Sequence, residues 1–384
     1  MQLFVPPLGP SSLVPEKRSG HVAVFYKGLL VVIGGYYKDP DELADWGEEY
    51  EDYFPYDIIW FYDPTTHVWR QRNASGDVPP VTVGACACVV EDLLYLLCGF
   101  RQEEAYTNEV YQLDMASLTW RQVPQQQTDN HDNIPPSPRD KFGCWVWKSR
   151  IFVFGGFGDV PWQYPDSFET DDLGGMIGWN NELHCLDCNS VGGGNSGDMV
   201  EPWWSLCKPT GTLPTPRAAF AATQIAHHAY VFGGRFRDGR RNDMFRLDLD
   251  NLVWEEIIME KPIPRGRSWH TMTALSERHL FVYGGMDTSS HTLHDVWVYD
   301  VGANSWKEIA NGAQLLGEHR RRVWHTACST DTPGELVVFG GSSCRKFGES
   351  SQEPECQTNE VAFFRFSAFP LKRLCTEKLA SIAS

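Results

Sequence analysis

The sequence predicts an all-β fold that is built from six copies of one unit. Three observations support this prediction: short apolar strands that end in glycine recur, another short strand precedes each of them, and a tryptophan marks a late strand in five units. The last glycines lie 64, 57, 78, 51 and 56 residues apart, at Gly35, Gly99, Gly156, Gly234, Gly285 and Gly341. Such repetition is typical of architectures in which neighbouring units stack on one another.

Each unit contains four predicted strands. The first strands open near Gly20, Gly84, Gly143, Ala218, Trp269 and Trp324, and the second strands end at the glycines above. The third strands follow a polar or acidic start, as at Asn108-Glu109, and the fourth strands carry Trp69, Trp120, Trp204, Trp254 and Trp306. Glycine allows a strand to leave the sheet at unusual backbone angles, and tryptophan offers area for packing one sheet on the next.

The pattern of four strands, paired glycines and a late tryptophan resembles kelch repeats. This resemblance implies a six-bladed β-propeller over residues 1–369 and a short tail over residues 370–384. Blade 2 departs from the pattern, because Cys98 replaces its first glycine. The sixth unit lacks a tryptophan-bearing fourth strand, so either residues 2–5 or the segment after Phe369 must complete it. We favour the N-terminal strand, since an open sheet edge is costly.

Composition narrows the class of protein. The 33 basic and 50 acidic residues give a formal charge of 33 − 50 = −17, which would repel nucleic acid. Apolar runs are shorter than the roughly 20 residues that a membrane helix needs. The eleven cysteines lie mostly in apolar strands, as reduced buried thiols do. We therefore expect a protein of the cytoplasm or nucleus that binds neither nucleic acid nor membrane.

Topology predicts which loops share a face. Adjacent strands in a blade are antiparallel, so residues after each double glycine and residues before each first strand project to the same side, here called the top. Cations are concentrated there, at Arg139, Lys141, Arg235, Arg237, Arg240, Arg241, Arg265, Arg267, Arg320, Arg321 and Arg322. The alternative is that these are ordinary solvated loop residues.

The predicted top face also carries aromatic and acidic side chains. Arginine forks suit a carboxylate or phosphate, while Trp and Tyr walls suit a peptide, so a peptide's C-terminal carboxylate fits both. Blade 1 contributes a stretch of nine acids without a base, which predicts an acidic rim: Asp39, Asp41, Glu42, Asp45, Glu48, Glu49, Glu51, Asp52 and Asp57.

Five segments resemble the kelch domain-containing substrate receptors of cullin-RING ubiquitin ligases, in particular the paralogues that recognise proteins ending in diglycine. They are residues 235–243, Arg267-Ser268-Trp269-His270, residues 323–328, Gly178-Trp179-Asn180 and Asp140-Lys141. The resemblance implies that Arg235, Arg240 and Ser268 hold the peptide carboxylate. It also implies a pocket completed by Tyr36, Lys141, Trp179, Trp269 and Trp324.

The tail resembles an elongin-binding BC box, with Leu371, Cys375 and Leu379 at the apolar positions. These residues recur at helical spacing, so a short amphipathic helix is predicted to dock in a partner groove. The resemblance implies elongin B/C and a cullin scaffold as partners. The alternative is a helix that packs on its own propeller.

Two other classes of function use the same repeats, namely enzymes and non-ligase scaffolds. Kelch propellers include copper-radical oxidases, but His21, His270 and His325 open first strands, where bonding to the backbone is expected. Cys185 and Cys188 form a single pair, too few for a zinc site. We therefore expect no catalytic residue, no metal and no cofactor. The main alternative is a kelch scaffold that binds a folded partner without assembling a ligase.

Overall fold

A computed structural model describes residues 1–7, 13–43, 49–101, 105–124, 133–160, 168–170, 176–188, 201–309, 320–344 and 357–366. Within these ranges the regular structure is entirely β, with no α-helix. This confirms the predicted all-β class. The predicted tail helix, with Leu371, Cys375 and Leu379, lies outside the described residues. None of the described residues belongs to a helix long and apolar enough to cross a membrane.

The strands are short, as blades require. In chain order they are β1 (Gln2–Phe4), β2 (Val22–Tyr26), β3 (Leu29–Ile33), β4 (Tyr36–Leu43), β5 (Glu49–Tyr53), β6 (Ile58–Asp63), β7 (Val68–Asn73), β8 (Ser75–Gly76), β9 (Cys86–Val90), β10 (Leu93–Arg101), β11 (Ala105–Asp114), β12 (Thr119–Gln122), β13 (Arg139–Asp140), β14 (Gly143–Trp147), β15 (Arg150–Phe154), β16 (Phe157–Asp159), β17 (Phe168–Thr170), β18 (Met176–Trp179), β19 (Leu183–Asp187), β20 (Trp203–Leu206), β21 (Thr210–Gly211), β22 (Ala221–Ile225), β23 (His228–Phe232), β24 (Arg235–Phe236), β25 (Gly239–Arg240), β26 (Met244–Asp248), β27 (Val253–Glu256), β28 (Thr271–Ala274), β29 (His279–Tyr283), β30 (Val296–Asp300), β31 (Ser305–Glu308), β32 (Thr326–Ser329), β33 (Glu335–Phe339) and β34 (Val361–Arg365).

Six antiparallel sheets correspond to the six predicted units. Their strand orders are β2-β3-β6-β7, β9-β10-β11-β12, β14-β15-β19-β20, β22-β23-β26-β27, β28-β29-β30-β31 and β32-β33-β34-β1, here called blades 1 to 6. Blades 2 and 4 gain a short parallel fifth strand, β8 and β21. These sheets are the blades of the predicted β-propeller class. The sixth takes its fourth strand from the N-terminus, with Gln2 opposite Arg365 and Phe4 opposite Phe363.

The chain divides into two compact units. Unit 1 consists of Met1–Asn73 and Met259–Ser384, and it contains blades 1, 5 and 6. Unit 2 is Ala74–Ile258, and it contains blades 2, 3 and 4. Each unit is stabilised by its own apolar clusters between neighbouring blades.

The fourth-strand tryptophans pack blades together within each unit. In unit 2 the ring of Trp254 in blade 4 lies 4.8 Å from that of Phe154 in blade 3. In unit 1 the ring of Trp69 in blade 1 lies 5.1 Å from that of Phe339 in blade 6. Buried aromatic pairs at these distances stabilise by more than their area alone, so tryptophan at this position has a clear physical role.

The double glycine allows each second strand to turn out of its blade. Gly234 has φ +96°, and a Cβ added there would lie 3.0 Å from the Ala218 carbonyl oxygen and 2.8 Å from the Phe220 Cβ. Only glycine fits this backbone and this close approach. In blades 1, 3 and 4 the chain then forms a short sheet outside the blade: β4-β5, β13-β16-β18-β17 and β24-β25.

Candidate functional site

One position of the repeat, just before each first strand, has a left-handed backbone in all six blades. The φ angles are 64° and 67° at Gly20 and Gly84, 54° at both Lys141 and Ala219, 56° at Trp269 and 57° at Trp324. A residue with a Cβ costs roughly 1–2 kcal/mol in this conformation. Such strained residues cluster at functional sites. Three large side chains occupy this position and are candidate functional residues: Lys141 in unit 2, and Trp269 and Trp324 in unit 1.

In unit 2 these positions are joined by main-chain hydrogen bonds. The Lys141 N–H donates to the Gly84 carbonyl at 2.9 Å, and the Ala219 N–H donates to the Lys141 carbonyl at 2.8 Å. The Lys141 ammonium forms an ion pair with the buried carboxylate of Asp140. Burial raises the pKa of Asp140, and the Lys141 charge opposes that shift. Lys141 therefore offers a cation that its neighbour already partly neutralises.

The hairpin of β24 and β25 pairs two arginines across its two strands. Arg235 lies directly opposite Arg240, and both are partly exposed. The Arg235 Nε donates to the Arg237 carbonyl at 2.7 Å. Like charges directly opposite one another on two strands destabilise the pair, so this arrangement favours an anion between them.

The hairpin is held by aromatic packing. The Phe236 ring lies edge-on to Trp179, with centroids 5.6 Å apart, and the guanidiniums of Arg237 and Arg241 lie over Phe236. Trp179 itself is buried, at 5% exposure, and also packs on Phe157 at 4.9 Å. Trp179, which is predicted to line the peptide pocket, thus packs against the hairpin that carries the arginines.

Unit 1 presents the second group of predicted residues. The rings of Trp269 and Trp324 meet edge to face at 5.6 Å, and the Trp324 N–H donates to the Trp269 carbonyl at 3.3 Å. Ser268 is fully buried and forms a two-way main-chain bridge with Met286. Tyr36 follows the double glycine of blade 1, as Arg235 does in blade 4.

The predicted site residues thus divide between the two units. Unit 2 holds Lys141, Trp179, Arg235 and Arg240, and unit 1 holds Tyr36, Ser268, Trp269 and Trp324. Six acids of the blade 1 stretch lie on β4 and β5, where Tyr36 pairs with Tyr53: Asp39, Asp41, Glu42, Glu49, Glu51 and Asp52. Its side chains from residue 39 to residue 51 lie outside the described residues.

The structure corrects the prediction for three arginines. Arg139, Arg267 and Arg322 were predicted to face the top, but they are buried at 0%, 0% and 5% exposure. Arg267 shows why: its Nη1 donates to the Gly284 carbonyl at 2.9 Å, and both Nη atoms bind the Asp295 carboxylate at 2.8 and 2.6 Å. These side chains are framework elements, because their hydrogen-bond donors are used inside their own blades.

Sequence reasoning missed this framework arginine, although the chain contains a signal for it. An arginine precedes the first glycine of the pair by 16 residues in three blades, at Arg18, Arg139 and Arg217, and each donates to the carbonyl of that glycine. Arg267 does the same at a spacing of 17. An arginine that recurs at the same position of several blades therefore has a structural role in the blade.

Two further predicted cations are paired with acids in unit 1. Arg320 binds Glu360 at 2.8 Å, and Arg265 binds Asp287 at 3.3 Å. Another predicted cation of the top face, Arg321, donates to the Thr292 carbonyl at 2.7 Å. Within the part of the chain that the structure describes, exposed and partly exposed arginines are concentrated on and beside the β24-β25 hairpin, where four arginines occur within seven residues.

Two of the three histidines that open first strands, His21 and His325, bind hydroxyl groups and not the backbone as expected. His21 Nε2 lies 2.8 Å from Thr326 Oγ1, and His325 Nε2 lies 2.9 Å from Thr271 Oγ1. Burial lowers the pKa of His325 to about 3 and that of His21 well below its usual value. Both imidazoles are therefore neutral at pH 7. Their hydrogen bonds link the first strands of neighbouring blades.

Comparison with known proteins agrees with this architecture. The family model of the KLHDC2/KLHL20/DRC7 Kelch-repeats domain matches residues 20–191 and 173–341. The chain is 35% identical to Kelch domain-containing protein 2 of Homo sapiens over 373 residues, covering 94% of this chain and 84% of the relative. It is 31% identical to Kelch domain-containing protein 1 of Mus musculus over 374 residues, covering 95% of this chain and 84% of the relative.

Proposed function

Because this chain belongs to the KLHDC2/KLHL20/DRC7 kelch-repeat family, whose repeats generally form non-catalytic interaction domains, we propose that it is a peptide receptor. Its ligand is the C-terminal carboxylate of proteins that end in Gly-Gly or similarly small residues. The protein acts as the substrate-recognition subunit of a cullin-RING ubiquitin ligase. The resemblance of its arginine and tryptophan segments to diglycine-recognising receptors motivates this proposal.

The observation that carries the proposal is the pairing of Arg235 with Arg240 across the β24-β25 hairpin. Two adjacent guanidiniums match the two oxygens of a carboxylate, and each charge-assisted hydrogen bond is stronger than a neutral one. A protein with a net charge of −17 in which two arginines pair directly across a hairpin favours an anionic ligand at that point.

The preference for a peptide end rests on the aromatic residues. Trp269 and Trp324 are held in strained conformations at a position where blades 1 and 2 use glycine. Large flat side chains provide apolar contact with a chain and leave room for small residues at its end. Ser268 and Lys141 stay predicted contributors to the same ligand.

The ligase assignment rests on the tail. Leu371, Cys375 and Leu379 are the proposed elongin contacts, and elongin B/C and a cullin scaffold are the proposed partners. Leu371→Ser combined with Cys375→Ser should abolish elongin co-purification while peptide affinity is retained. Co-purification that survives both substitutions would leave the kelch scaffold without ligase assembly as the better function.

The test of peptide recognition compares one peptide ending in Gly-Gly as the free acid and as the C-terminal amide. The free acid should bind the full chain, and the amide should lose most of the affinity. Arg235→Ala should remove the difference between the two peptides. Arg246→Ala is the matched control, because Arg246 lies in the same blade but forms an ion pair with Glu255 at 2.5 Å. Equal binding of acid and amide by the native protein would refute the assignment.

A further inference from the structure

The end of blade 4 away from the arginine hairpin carries a group of potential metal ligands. Strand β23 begins at His228 and runs toward Gly234, so its first residue lies at the opposite end from β24. There, ligand atoms of His227, His228 and Asp248 all lie within 4.8 Å of one another. Among the residues that the structure describes, this is the one group of three or more such side chains that meets this distance.

The backbone holds the three residues in place. His228 and Asp248 are direct partners across the antiparallel pair of β23 and β26. The Leu249 N–H donates to the His227 carbonyl at 2.9 Å, which ties the turn before β23 to the end of β26. The ring centroids of the two histidines lie 4.0 Å apart. Both imidazoles are therefore on the same side of the pair as the carboxylate.

The chemical state of these groups suits a cation. A neutral imidazole can donate a lone pair to a metal ion, and each of the two histidines offers one such nitrogen here. The Asp248 carboxylate accepts hydrogen bonds from the Asn251 side chain and from the main-chain N–H groups of Asp250 and Asn251. These bonds also fix the carboxylate, as outer partners do in metal centres: Asn251 Nδ2 reaches Oδ2 at 2.8 Å, and the Asp250 N–H reaches Oδ1 at 2.8 Å.

Other blades show that this histidine pair is not needed for the fold. In blade 2 the aspartate at the same position, Asp114, lies opposite Leu93. In blade 5 Asp300 lies opposite His279, but Arg278 occupies both of its oxygens at 2.7 and 2.9 Å. The aspartate belongs to the repeat because it caps the following turn, whereas the two neighbouring histidines are particular to blade 4.

We propose that His227, His228 and Asp248 bind one divalent transition-metal ion of the zinc class. Two imidazoles and one carboxylate are a ligand set that Zn²⁺ accepts, and three protein ligands leave a position for water or for a partner's side chain. Metal–nitrogen distances of about 2.0 Å place neighbouring ligand atoms roughly 3.3 Å apart, so small ring rotations complete the site. The nearby Arg246 does not oppose this, because Glu255 balances its charge.

The test is calorimetric titration of the reduced full chain with Zn²⁺. The native protein should bind one ion, and His227→Ala and His228→Ala should each weaken binding by at least about tenfold. His279→Ala is the matched control, since it removes the equivalent histidine of blade 5, and it should bind as the native protein does. Thermal unfolding without metal should be the same for all four proteins.

A second measurement distinguishes this site from the cysteines. Co²⁺ in place of Zn²⁺ should give the weak visible bands of nitrogen and oxygen ligands, without the intense charge-transfer absorption of thiolates. Absence of Zn²⁺ binding, unchanged affinity in both histidine variants, or thiolate absorption would each overturn the proposal. Because the site lies at the far end of blade 4, its failure would leave the proposed peptide recognition unaffected.

Discussion

Blade 4 contains arginines in two regions, and the two sets differ in burial and in their partners. Arg217, before the first strand, is fully buried, and its guanidinium binds the Gly233 carbonyl at 3.0 Å and the Asp243 carboxylate at 2.7 and 2.9 Å. Arg235 and Arg240, after the second strand, are partly exposed and lie opposite each other. The role of an arginine in this blade therefore depends on its position within the repeat. An arginine before the first strand supports the framework, and one after the second strand is a candidate ligand contact.

The largest expected effect is on peptide binding. Arg235→Ala and Arg240→Ala should each weaken binding of a Gly-Gly peptide by about 2–5 kcal/mol, because the ligand carboxylate loses a charged partner. Neither change should alter the free energy of unfolding by more than about 0.5 kcal/mol, since both residues are on a surface hairpin. Titration of peptide and urea unfolding measure the two quantities. If these substitutions greatly lowered the free energy of unfolding but left peptide affinity unchanged, the hairpin arginines would be framework residues and not ligand contacts.

The framework arginine should show the opposite pattern. Arg217→Ala should lower the free energy of unfolding by about 3 kcal/mol, because it removes one partner of a buried ion pair and leaves Gly233 without its donor. Urea unfolding compares this variant with Arg246→Ala, which breaks a more exposed pair in the same blade and should cost less than about 1 kcal/mol. Similar costs for the two variants would contradict the framework assignment.

Lowering the pH should decrease the free energy of unfolding while peptide affinity changes little. The pKa of His325 is about 3 in the folded protein, against roughly 6.5 when unfolded. The unfolded state therefore takes up the proton first, so stability is full above pH 6.5 and decreases as the pH falls toward 3. At pH 5 this histidine should cost about 2 kcal/mol. Arginine and the peptide carboxylate both stay charged between pH 7 and 5, so peptide affinity should change little.

His325→Gln tests the source of that pH dependence. Urea unfolding of the variant at pH 7 and pH 5 should show a smaller difference than the native protein shows. An equal difference in both proteins would assign the effect to other groups, of which the buried His21 is the next to test.

The smallest expected effect concerns the selection of the last residues of the peptide. The native protein should prefer Gly-Gly to Leu-Leu ends, and Trp324→Ala should reduce this preference by about 1 kcal/mol, since a removed ring makes room for larger side chains. Trp306→Phe, in the fourth strand of blade 5, is a control for loss of an indole elsewhere in unit 1. Equal affinity of the native protein for both peptides would show that the tryptophans do not limit the ligand's size.

Local pattern alone determined the architecture of this protein. The six blades could be predicted from the sequence because each repeats features that act over a few residues. These features are the alternating apolar strands, double glycines such as Gly233-Gly234 and late tryptophans such as Trp254. These features depend on backbone geometry that neighbouring residues set. The segment after Gly234 could also be singled out, because four arginines occur within seven residues. The choice of Arg235 and Arg240 among them came from the resemblance to diglycine-recognising receptors.

Tertiary structure decided the roles that depend on distant partners. Arg267 is buried because Asp295, 28 residues away in the chain, accepts its hydrogen bonds. The N-terminal strand was one of two options for blade 6 until Gln2 paired with Arg365, at the other end of the chain. The left-handed backbone at Lys141, Trp269 and Trp324 likewise arises where neighbouring blades meet. Burial and pairing are properties of the folded neighbourhood, because free energy is gained only when residues far apart in sequence come into contact.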